Sequence, residues 1–387
     1  MVAATEPLRD SVDSTESAGD PARFPPVGIA ELAQLADLAE DLLERARNVA
    51  LEPGIVKQLR KWNAAEVAAL LGLSDDSFRR RLKKSPDIPQ GETINGRRLF
   101  SLEDIHNLQS ALGLRPRRDP SIDKPLVLAV ANFKGGVAKT TSSVHLAQYL
   151  CLRGYRVLLV DLDAQGCLTF SLGQDPDKLA VSVHDVLLGD VEPSAALVAT
   201  MEGMTLLPAN IDLAGAEAML LMRAGREYAL KRALAKVSDQ FDVIIIDCPP
   251  SLGVLTLNGL TAADEVIVPL QCETLAHRGV GQFLRTVTDV QQITNPDLRL
   301  LGALPTLYDA RTTHTRDVLL DVADRYDLPV LAPPIPRTVR FAEASASGSS
   351  VMAGRKNKGA VAYGELAQSL LKHWKTGKAL PTFAIEV

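Results

Sequence analysis

The chain has 387 residues, of which 46% are hydrophobic and 23% charged, so most of it can bury a core in two or three domains. Its net charge of −5 argues against a uniformly basic nucleic-acid-binding protein, for which a pI above roughly 9 is usual. No run of about 18 apolar residues could cross a membrane, and the acidic, Ser-rich start does not look like a secretory signal. The four cysteines lie far apart without paired spacing, which argues against disulfides or a zinc site and fits a reducing cytoplasm.

The N-terminal region divides into a tail and a helix. Residues 1–26 are rich in Ser, Asp, Glu and Pro, and we expect them to be disordered. Residues 27–54 carry apolar side chains at helical spacing up to Pro53-Gly54, which predicts one amphipathic helix. The apolar stripe of this helix could pack on its own chain or on a second copy, and both alternatives stay open.

Residues 57–114, called the basic domain below, have the pattern of a winged helix-turn-helix. Start signals at Asn63, Ser74 and Ser101 predict three helices, and Asn95-Gly96 predicts a hairpin before the third. Residues 57–118 hold 13 lysines and arginines against 7 acidic residues, a net charge of +6. This pattern favours DNA binding over a small helical domain with a solvated basic face. The candidate DNA contacts are Arg79, Arg80, Arg97 and Arg98.

Three prolines in residues 115–125 predict a linker, after which the hydrophobic pattern of the sequence changes. Short apolar runs alternate with helical patterns in residues 126–376, as is typical of strands buried on both faces of a parallel sheet. We therefore expect an α/β fold with a doubly wound, mostly parallel sheet, called the α/β domain below, and a C-terminal tail of residues 377–387. The expected strands are 126–130, 157–160, 205–207, 243–246, 265–269 and 300–304.

A Gly-containing turn, residues 132–141, follows the first expected strand and leads into a helix; we call it the phosphate loop. Its small residues let backbone N–H groups point inward, and the helix N-terminus adds partial positive charge, so it is suited to phosphate. Lys139 would reach the β- and γ-phosphates of a nucleotide, and the Thr140 hydroxyl would bind Mg²⁺. The strict P-loop pattern has glycine where this chain has Phe133 and Ala138, so a strand–helix turn without a ligand is the alternative.

Carboxylates follow two other expected strands. The strand 157–160 leads into Asp161 and Asp163, and the strand 243–246 leads into Asp247. Ligands of open parallel sheets bind outside the carboxyl ends of the strands, so these acids and the phosphate loop together predict a Mg-nucleotide site. Asp247 would hold the metal through water, with Thr140 and Asp161 in the same metal set. Asp161 or Asp163 would orient the attacking water.

These motifs resemble a known family, the ParA-type partition ATPases of the ParA/MinD branch of P-loop proteins. The resemblance covers residues of about 126–375. The basic domain further resembles the DNA-binding region of the larger plasmid partition ATPases, including RepA of repABC-type replicons. The motifs similar to the family's deviant Walker A, A′ and B sequences are Lys134-Gly135-Gly136-x-x-Lys139-Thr140-Thr141, Asp161-x-Asp163-x-Gln165 and Asp247-Cys248-Pro249-Pro250.

The resemblance implies roles for the matched residues. Lys134 matches the family's signature lysine, which crosses a dimer interface to the partner's nucleotide, so two subunits would sandwich two ATP molecules. Asp163 matches the acid linked to hydrolysis, which makes Lys134, Lys139 and Asp163 the catalytic candidates. We expect an alanine at position 138 to require a negative φ. The other candidates for nucleotide binding are Gly135, Gly136, Val137, Ala138, Thr140, Thr141 and Pro336.

Residues 307–312 and 334–344 resemble the family segments that close over the adenine and carry non-specific DNA contacts. Arg311 and Arg340 match the two arginines that make these contacts in chromosomal relatives, and Arg337 is a third candidate. A surface arginine in a salt bridge is the alternative at each position.

The sequence therefore predicts a cytoplasmic, nucleoid-associated partition ATPase that uses ATP and Mg²⁺. Its ATP-bound homodimer would bind DNA without sequence choice, and a ParB-type partner would stimulate hydrolysis and release. The basic domain would add operator binding and autoregulation. The alternatives are a nucleotide-sensing transcription repressor and a MinD-like or cargo-positioning ATPase; we interpret the apolar stripe from Tyr363 to Trp374 as core packing, so no membrane partner is expected.

Overall fold

The computed structural model describes residues 29–51, 60–116, 123–200, 203–272, 276–341 and 357–383. The predicted tail 1–26, most of the predicted linker and residues 384–387 lie outside these ranges. The chain divides into two units, one that ends at Val49 and one that begins at Ala50. Helix α1 (Ile29–Leu51) lies where an amphipathic helix is predicted, mostly in the first unit. Four leucines of α1 are more than half exposed: Leu32, Leu35, Leu38 and Leu42.

The basic domain contains helices and a hairpin in the predicted order. Asn63 and Ser101 each begin a helix with a reciprocal capping box, and the Ser74 hydroxyl accepts from the Ser77 amide at 3.2 Å. Strand β3 pairs antiparallel with both β1 and β2, so the hairpin is extended by a short strand that the sequence reading missed. The core of the basic domain includes Phe78 and Phe100, which are fully buried. The elements are β1 (Trp62–Asn63), α2 (Ala64–Leu70), α3 (Asp75–Lys84), β2 (Glu92–Ile94), β3 (Arg97–Phe100) and α4 (Leu102–Ala111).

The α/β domain alternates strands and helices along the chain, as its apolar runs predict. Its first half contains β4 (Leu126–Val130), α5 (Lys139–Leu152), β5 (Val157–Asp161), α6 (Cys167–Ser171), α7 (Val183–Leu188), α8 (Pro193–Ala196), β6 (Val198–Ala199), β7 (Thr205–Leu207) and α9 (Leu213–Leu221). Its second half contains α10 (Ala229–Ala235), β8 (Val243–Asp247), α11 (Val254–Ala262), β9 (Glu265–Gln271), α12 (Ala276–Ile293), β10 (Arg299–Thr306), α13 (Thr313–Tyr326) and α14 (Lys358–Thr376).

A seven-stranded sheet runs through the α/β domain in the order β10-β9-β4-β8-β5-β7-β6. Every pairing is parallel except that of β6 with β7 at one edge, which the sequence reading missed because β6 has only two residues. Helices cover both faces of the sheet, and the strand interiors are buried. The doubly wound, mostly parallel sheet is therefore confirmed. None of the described helices is long and apolar enough to cross a membrane.

Helix α14 packs against α5 and in the hydrophobic core on one face of the sheet through the predicted apolar stripe. Tyr363, Leu366 and Leu370 are fully buried there, which confirms that the stripe is core packing. At its C-terminal end, α14 is held by Glu265, a fully buried carboxylate at the start of β9. Glu265 accepts from the Trp374 indole at 2.8 Å and lies 2.9 Å from His373 Nε2 and 2.8 Å from the Arg299 guanidinium.

The basic domain docks on the C-terminal end of α5. Leu152 of α5 belongs to the hydrophobic core of the basic domain. The Gln109 side-chain amide donates to the Leu152 carbonyl at 2.9 Å, and the Arg153 guanidinium donates to the Leu70 carbonyl at 2.6 Å. His106 Nε2 lies 2.8 Å from the Cys151 carbonyl. The basic domain thus shares a helix end with the α/β domain, although the boundaries assigned to the two domains stay predictions.

Replacing Glu265 by Gln should destabilise the protein by about 1–3 kcal/mol, because one N–H of the new side-chain amide would face a donor that Glu265 now accepts from, in a fully buried position. The measurement is urea unfolding followed by circular dichroism. Glu192→Gln is the matched control, since Glu192 and Lys236 form an exposed ion pair at 2.8 Å, which should contribute less than about 1 kcal/mol. Equal effects of the two substitutions would contradict the structural role of Glu265.

Candidate nucleotide-binding site

Sheet order explains why distant parts of the sequence meet at one place. Strand β4 leads into the phosphate loop and lies between β9 and β8, and β8 lies next to β5. In this register Val130 pairs with Asp247, and Asp247 pairs with Asp161. The ends of three neighbouring parallel strands therefore bring together the phosphate loop and the carboxylates that the sequence predicts for one site.

The phosphate loop is held by side chains on both sides. The Asn132 amide donates to the Pro269 carbonyl at 2.7 Å, and its oxygen accepts from the Lys134 amide at 3.2 Å. The Thr306 hydroxyl at the end of β10 donates to the Val137 carbonyl at 3.0 Å. Lys139 is buried, and its ammonium donates to the Lys134 carbonyl across the loop at 3.0 Å. Burial lowers the pKa of Lys139, although the neighbouring carboxylate of Asp247 opposes this shift.

Ala138 corrects one expectation from the sequence. It has φ 65° and ψ 34°, in the left-handed region, so the expected negative φ is wrong. Ala138 precedes the first residue of α5, and its carbonyl accepts the helical hydrogen bond from the Ser142 amide at 2.9 Å. The loop needs the left-handed turn at this point to enter the helix, and an alanine adopts it at an energetic cost of about 1–2 kcal/mol that glycine would avoid.

Asp247 forms a hydrogen bond with Thr140, another of the predicted magnesium ligands. It is 1% exposed and accepts from the Thr140 hydroxyl at 2.6 Å and from the Ser143 hydroxyl at 2.9 Å. Burial raises the pKa of Asp247 to about 7, and the charge of Asp161 adds to this shift. A hydroxyl and a carboxylate beside a phosphate-binding turn are the hard oxygen ligands that Mg²⁺ prefers, so the residues present fit this ion.

The hydrogen-bond partners of Asp161 differ from those of Asp247. It is fully buried, and its Oδ2 accepts from the backbone amide and the hydroxyl of Thr169 at 2.9 and 2.7 Å. Its Oδ1 accepts from the Asp163 amide at 3.1 Å. Burial raises the pKa of Asp161 to about 6 against these hydrogen bonds. The geometry favours Asp161 as the support of the turn that presents Asp163, and its place in the metal set stays a prediction.

Asp163 and Lys134 lie at the rim of the site and are half-buried. The Asp163 carboxylate accepts from the Gln165 amide at 3.0 Å, which fixes the turn after β5. Gly135 and Gly136, between Lys134 and the buried Val137, are exposed. The rim therefore presents one cation and one carboxylate beside open backbone.

Three residues of this site were missed in the sequence reading. Ser143 lies one turn after Thr140 on the same face of α5, and this spacing could have identified it as a second donor to Asp247. Thr306 comes from a distant strand and carries no local signal, and Thr169 lies in α6, eight residues beyond Asp161. Phe133 stands at a position where strict P-loops have glycine. Its ring packs against Gly279, where an added Cβ would be only 1.3 Å from the ring, so Gly279 leaves room for it.

Comparisons with known proteins show the family to which this chain belongs. A family model described as an AAA domain matches residues 126–300. The chain is 40% identical over 257 residues to the chromosome partitioning protein ParA of Caulobacter vibrioides, covering 65% of this chain and 96% of that protein. This chain belongs to the ParA family of partition ATPases.

Two further relatives extend the comparison. An uncharacterized protein of Mycobacterium tuberculosis is 43% identical over 319 residues, covering 79% of this chain and 98% of that protein. A crystal structure of cobyrinic acid a,c-diamide synthase from Mycobacterium smegmatis, with a bound ATP analogue and magnesium, is 76% identical to this chain. It covers 67% of this chain and 100% of that one, with a TM-score of 0.62.

The arginines expected to contact DNA in a ParA protein lie near the turn after β10. Arg311 is 87% exposed at its side chain and forms an ion pair with Asp309 at 2.6 Å. This hydrogen-bonded pair holds the pKa of Asp309 well below its usual range. Arg337 and Arg340 are exposed, and the Arg337 amide donates to the Tyr308 carbonyl at 3.0 Å, which brings residues 336–341 beside the turn. Pro336, half-buried, bridges to Tyr308.

The arginines predicted on the basic domain are all exposed. Arg79 and Arg80 lie on α3, and Arg97 and Arg98 lie on β3. Arg79 is paired with Asp75 one helical turn away at 3.0 Å, and Arg98 donates to the Gln90 side chain at 3.4 Å. Their role in DNA binding stays a prediction.

Replacing Asp247 by Asn should stabilise the metal-free protein above about pH 7 by more than about 1 kcal/mol, because the raised pKa makes ionisation of this buried carboxyl unfavourable. A carboxyl whose folded-state pKa is raised to about 7 loses stability as the pH rises from about 4 to about 7. In the variant, Asn can donate to the Ser143 hydroxyl, whose single proton can turn from position 247 to the Lys139 carbonyl, 3.2 Å away.

Thermal unfolding in EDTA checks this expectation. The stability difference between variant and wild type should be small near pH 4 and grow until about pH 7. Asp242→Asn is the control. Asp242 is buried and forms an ion pair with the cationic Arg156 at 2.8 Å, so this substitution should destabilise the protein. A stability difference that does not change with pH would contradict the raised pKa.

Proposed function

We propose that the chain binds and hydrolyses Mg-ATP and, as an ATP-bound homodimer, binds DNA in partition. The observation that carries the proposal is the hydrogen bond of 2.6 Å between Thr140, on the helix that follows the phosphate loop, and Asp247 at the end of β8. This pairing supports a P-loop site, because it joins a hydroxyl and a carboxylate beside a loop whose backbone is expected to donate to phosphate. Membership of the ParA family and the nucleotide in the Mycobacterium smegmatis structure support it.

Each side chain has a task in this proposal. Mg²⁺ on the phosphates would supply the charge neutralisation that phosphoryl transfer requires. Thr140 and Asp247 would hold this ion, and Lys139 would exchange the Lys134 carbonyl for the phosphate oxygens. Asp163 at the rim would orient the attacking water. Lys134 would reach the nucleotide of the second subunit, so that ATP favours the dimer.

DNA would be bound at two kinds of surface. The arginines after β10 would contact phosphates without reading bases, and dimerisation would double their number. The basic domain would bind an operator through α3 and the hairpin β2–β3 as a winged helix-turn-helix, and would thereby regulate its own gene. A ParB-type partner would stimulate hydrolysis and release the nucleoid DNA.

Replacing Lys139 by Ala should weaken Mg-ATP binding at least about tenfold, because the phosphates lose their charge-assisted donor inside the loop. Binding of a fluorescent ATP analogue and ATP-dependent DNA retention measure the two effects. Lys178→Ala is the matched control, since Lys178 pairs with Asp175 on the surface, at a separation of 3.1 Å. ATP-dependent DNA binding that survives in Lys139→Ala would refute the mechanism.

Replacing Arg311 and Arg340 together by Ala should abolish most ATP-dependent, sequence-independent DNA binding and lower its salt dependence. Two arginines in each subunit give up to about four phosphate contacts in a dimer, and each lost contact lowers the log–log salt slope by about 0.9. Filter binding at several salt concentrations measures the slope. The control is Arg325→Ala, because Arg325 is an exposed arginine paired with Asp321 on α13.

The same assay separates partition from a nucleotide-sensing repressor. A repressor would lose its DNA binding when the arginines of the basic domain are replaced and would be unaffected by Arg311→Ala with Arg340→Ala. A MinD-like role would require an amphipathic helix at the membrane, whereas Tyr363, Leu366, Leu370 and Leu371 of the apolar stripe on α14 are buried. ATP-dependent binding to anionic vesicles in place of DNA would favour that alternative.

The name of the Mycobacterium smegmatis relative raises amide formation as a second candidate. Such a reaction would use ATP to activate a carboxylate, and release of ammonia from an amide donor commonly uses an activated thiolate. Burial raises the pKa of Cys248 and Cys167, and raises that of Cys272 to about 12, so none of these thiols is activated. ATP hydrolysis stimulated by cobyrinic acid with ammonia, and not by DNA, would favour the amide reaction.

A further inference from the structure

Two hydroxyl groups, hydrogen-bonded in series, support the left-handed conformation of Ala138. The Ser142 hydroxyl donates to the Ala138 carbonyl at 2.8 Å and lies 2.9 Å from the hydroxyl of Tyr363 on α14. Both Ser142 and Tyr363 are fully buried. The chain runs from the C-terminal helix through the first turn of α5 to the phosphate loop.

The direction of these hydrogen bonds follows from the number of protons. A serine hydroxyl has one proton, and a carbonyl can only accept, so the Ser142 proton is used on Ala138. The Tyr363 hydroxyl must then donate to Ser142 Oγ. Burial raises the pKa of Tyr363 above its usual value, so this donor keeps its proton over the working range of pH. Tyr363 therefore polarises the Ser142 hydroxyl toward the Ala138 carbonyl.

The ring of Tyr363 is fixed against α5 by other aromatic groups. It stacks on His145 at 5.1 Å with an interplanar angle of 14°, and Phe341 contacts both rings edge-on. His145 Nδ1 lies 2.6 Å from the Thr141 carbonyl, which ties this stack to the same first turn of α5. The position of the Tyr363 hydroxyl is therefore set by the packing of three rings.

The conformation at Ala138 matters because it shapes the anion-binding concavity. Gly136 and Ala138 both have positive φ, at 73° and 65°, on either side of Val137. Alternation of left-handed with ordinary residues turns successive backbone N–H groups to one side, which forms a nest for an anion. Glycine adopts such a conformation without strain, whereas alanine needs surrounding contacts that hold it there.

We propose that Tyr363 is a positioning residue for nucleotide binding, which acts through Ser142 to hold Ala138 in the conformation that forms the phosphate nest. This inference rests on the proposed function of the phosphate loop. Tyr363 itself touches no nucleotide. A purely structural tyrosine in the same place would stabilise the fold but would have no special relation to the residue at position 138.

The test compares Tyr363→Phe in the wild-type chain and in an Ala138→Gly background. In the wild-type chain it should weaken binding of a fluorescent Mg-ATP analogue about fivefold, the usual effect of one buried hydrogen bond. In the Ala138→Gly background the same substitution should change the affinity less than about twofold, because glycine needs no hold. Ser142→Ala should follow the same pattern and serves as a second variant should Tyr363→Phe fold poorly.

Tyr149→Phe is the matched control, since Tyr149 lies on α5 and its hydroxyl accepts from Gln368 of α14 at 2.5 Å, in the same helix–helix contact. It should leave nucleotide affinity unchanged. An equal loss of affinity from Tyr363→Phe in both backgrounds, or no loss in either, would overturn the inference. A wild-type chain that binds no nucleotide would refute the proposed function itself, so the two failures are distinguishable.

Discussion

Two buried carboxylates at the end of the sheet impose the main constraint on this structure. Asp161 and Asp247 lie on neighbouring strands and are almost completely removed from water, which is costly for an ionised group without partners. Asp161 is satisfied by three hydrogen bonds from its own side of the sheet. Asp247 accepts from two hydroxyls of α5, and its remaining charge is best compensated by a cation. At this site a bound cation would offset the cost of burying ionised Asp247.

This constraint explains why the first turns of α5 are polar although they are buried. Thr140 and Ser143 face Asp247, and Ser142 faces the opposite side, toward α14. The helix can begin at Lys139 because the residue before it turns left-handed. Its far end is a docking point for the basic domain through the carbonyl of Leu152. One helix of 14 residues thus contacts the phosphate loop, the sheet carboxylate, the C-terminal helix and the basic domain.

Much of this architecture follows from local signals in the sequence. The apolar runs and the order of helices predict the parallel sheet, and the capping residues predict the starts of α2, α3 and α4. The meeting of the phosphate loop with Asp247 follows from sheet topology, since both lie at carboxyl ends of neighbouring strands. The rest depends on contacts between residues far apart in the chain. Ala138 has a left-handed φ that alanine does not favour by itself, and Thr306 reaches the Val137 carbonyl from the end of β10.

The charge distribution, like the fold, can be predicted from the sequence only where it does not depend on tertiary contacts. The net charge of −5 conceals the +6 of residues 57–118, which the sequence reveals by simple counting. The sequence does not reveal that Arg311 is already paired with Asp309 at 2.6 Å. A phosphate that binds Arg311 must compete with this carboxylate, so the pair favours weak contacts that become effective only when several act together. In the proposed ATP-bound dimer, such a surface would suit binding that is gained on dimerisation and lost on dissociation, because no single arginine would hold the DNA.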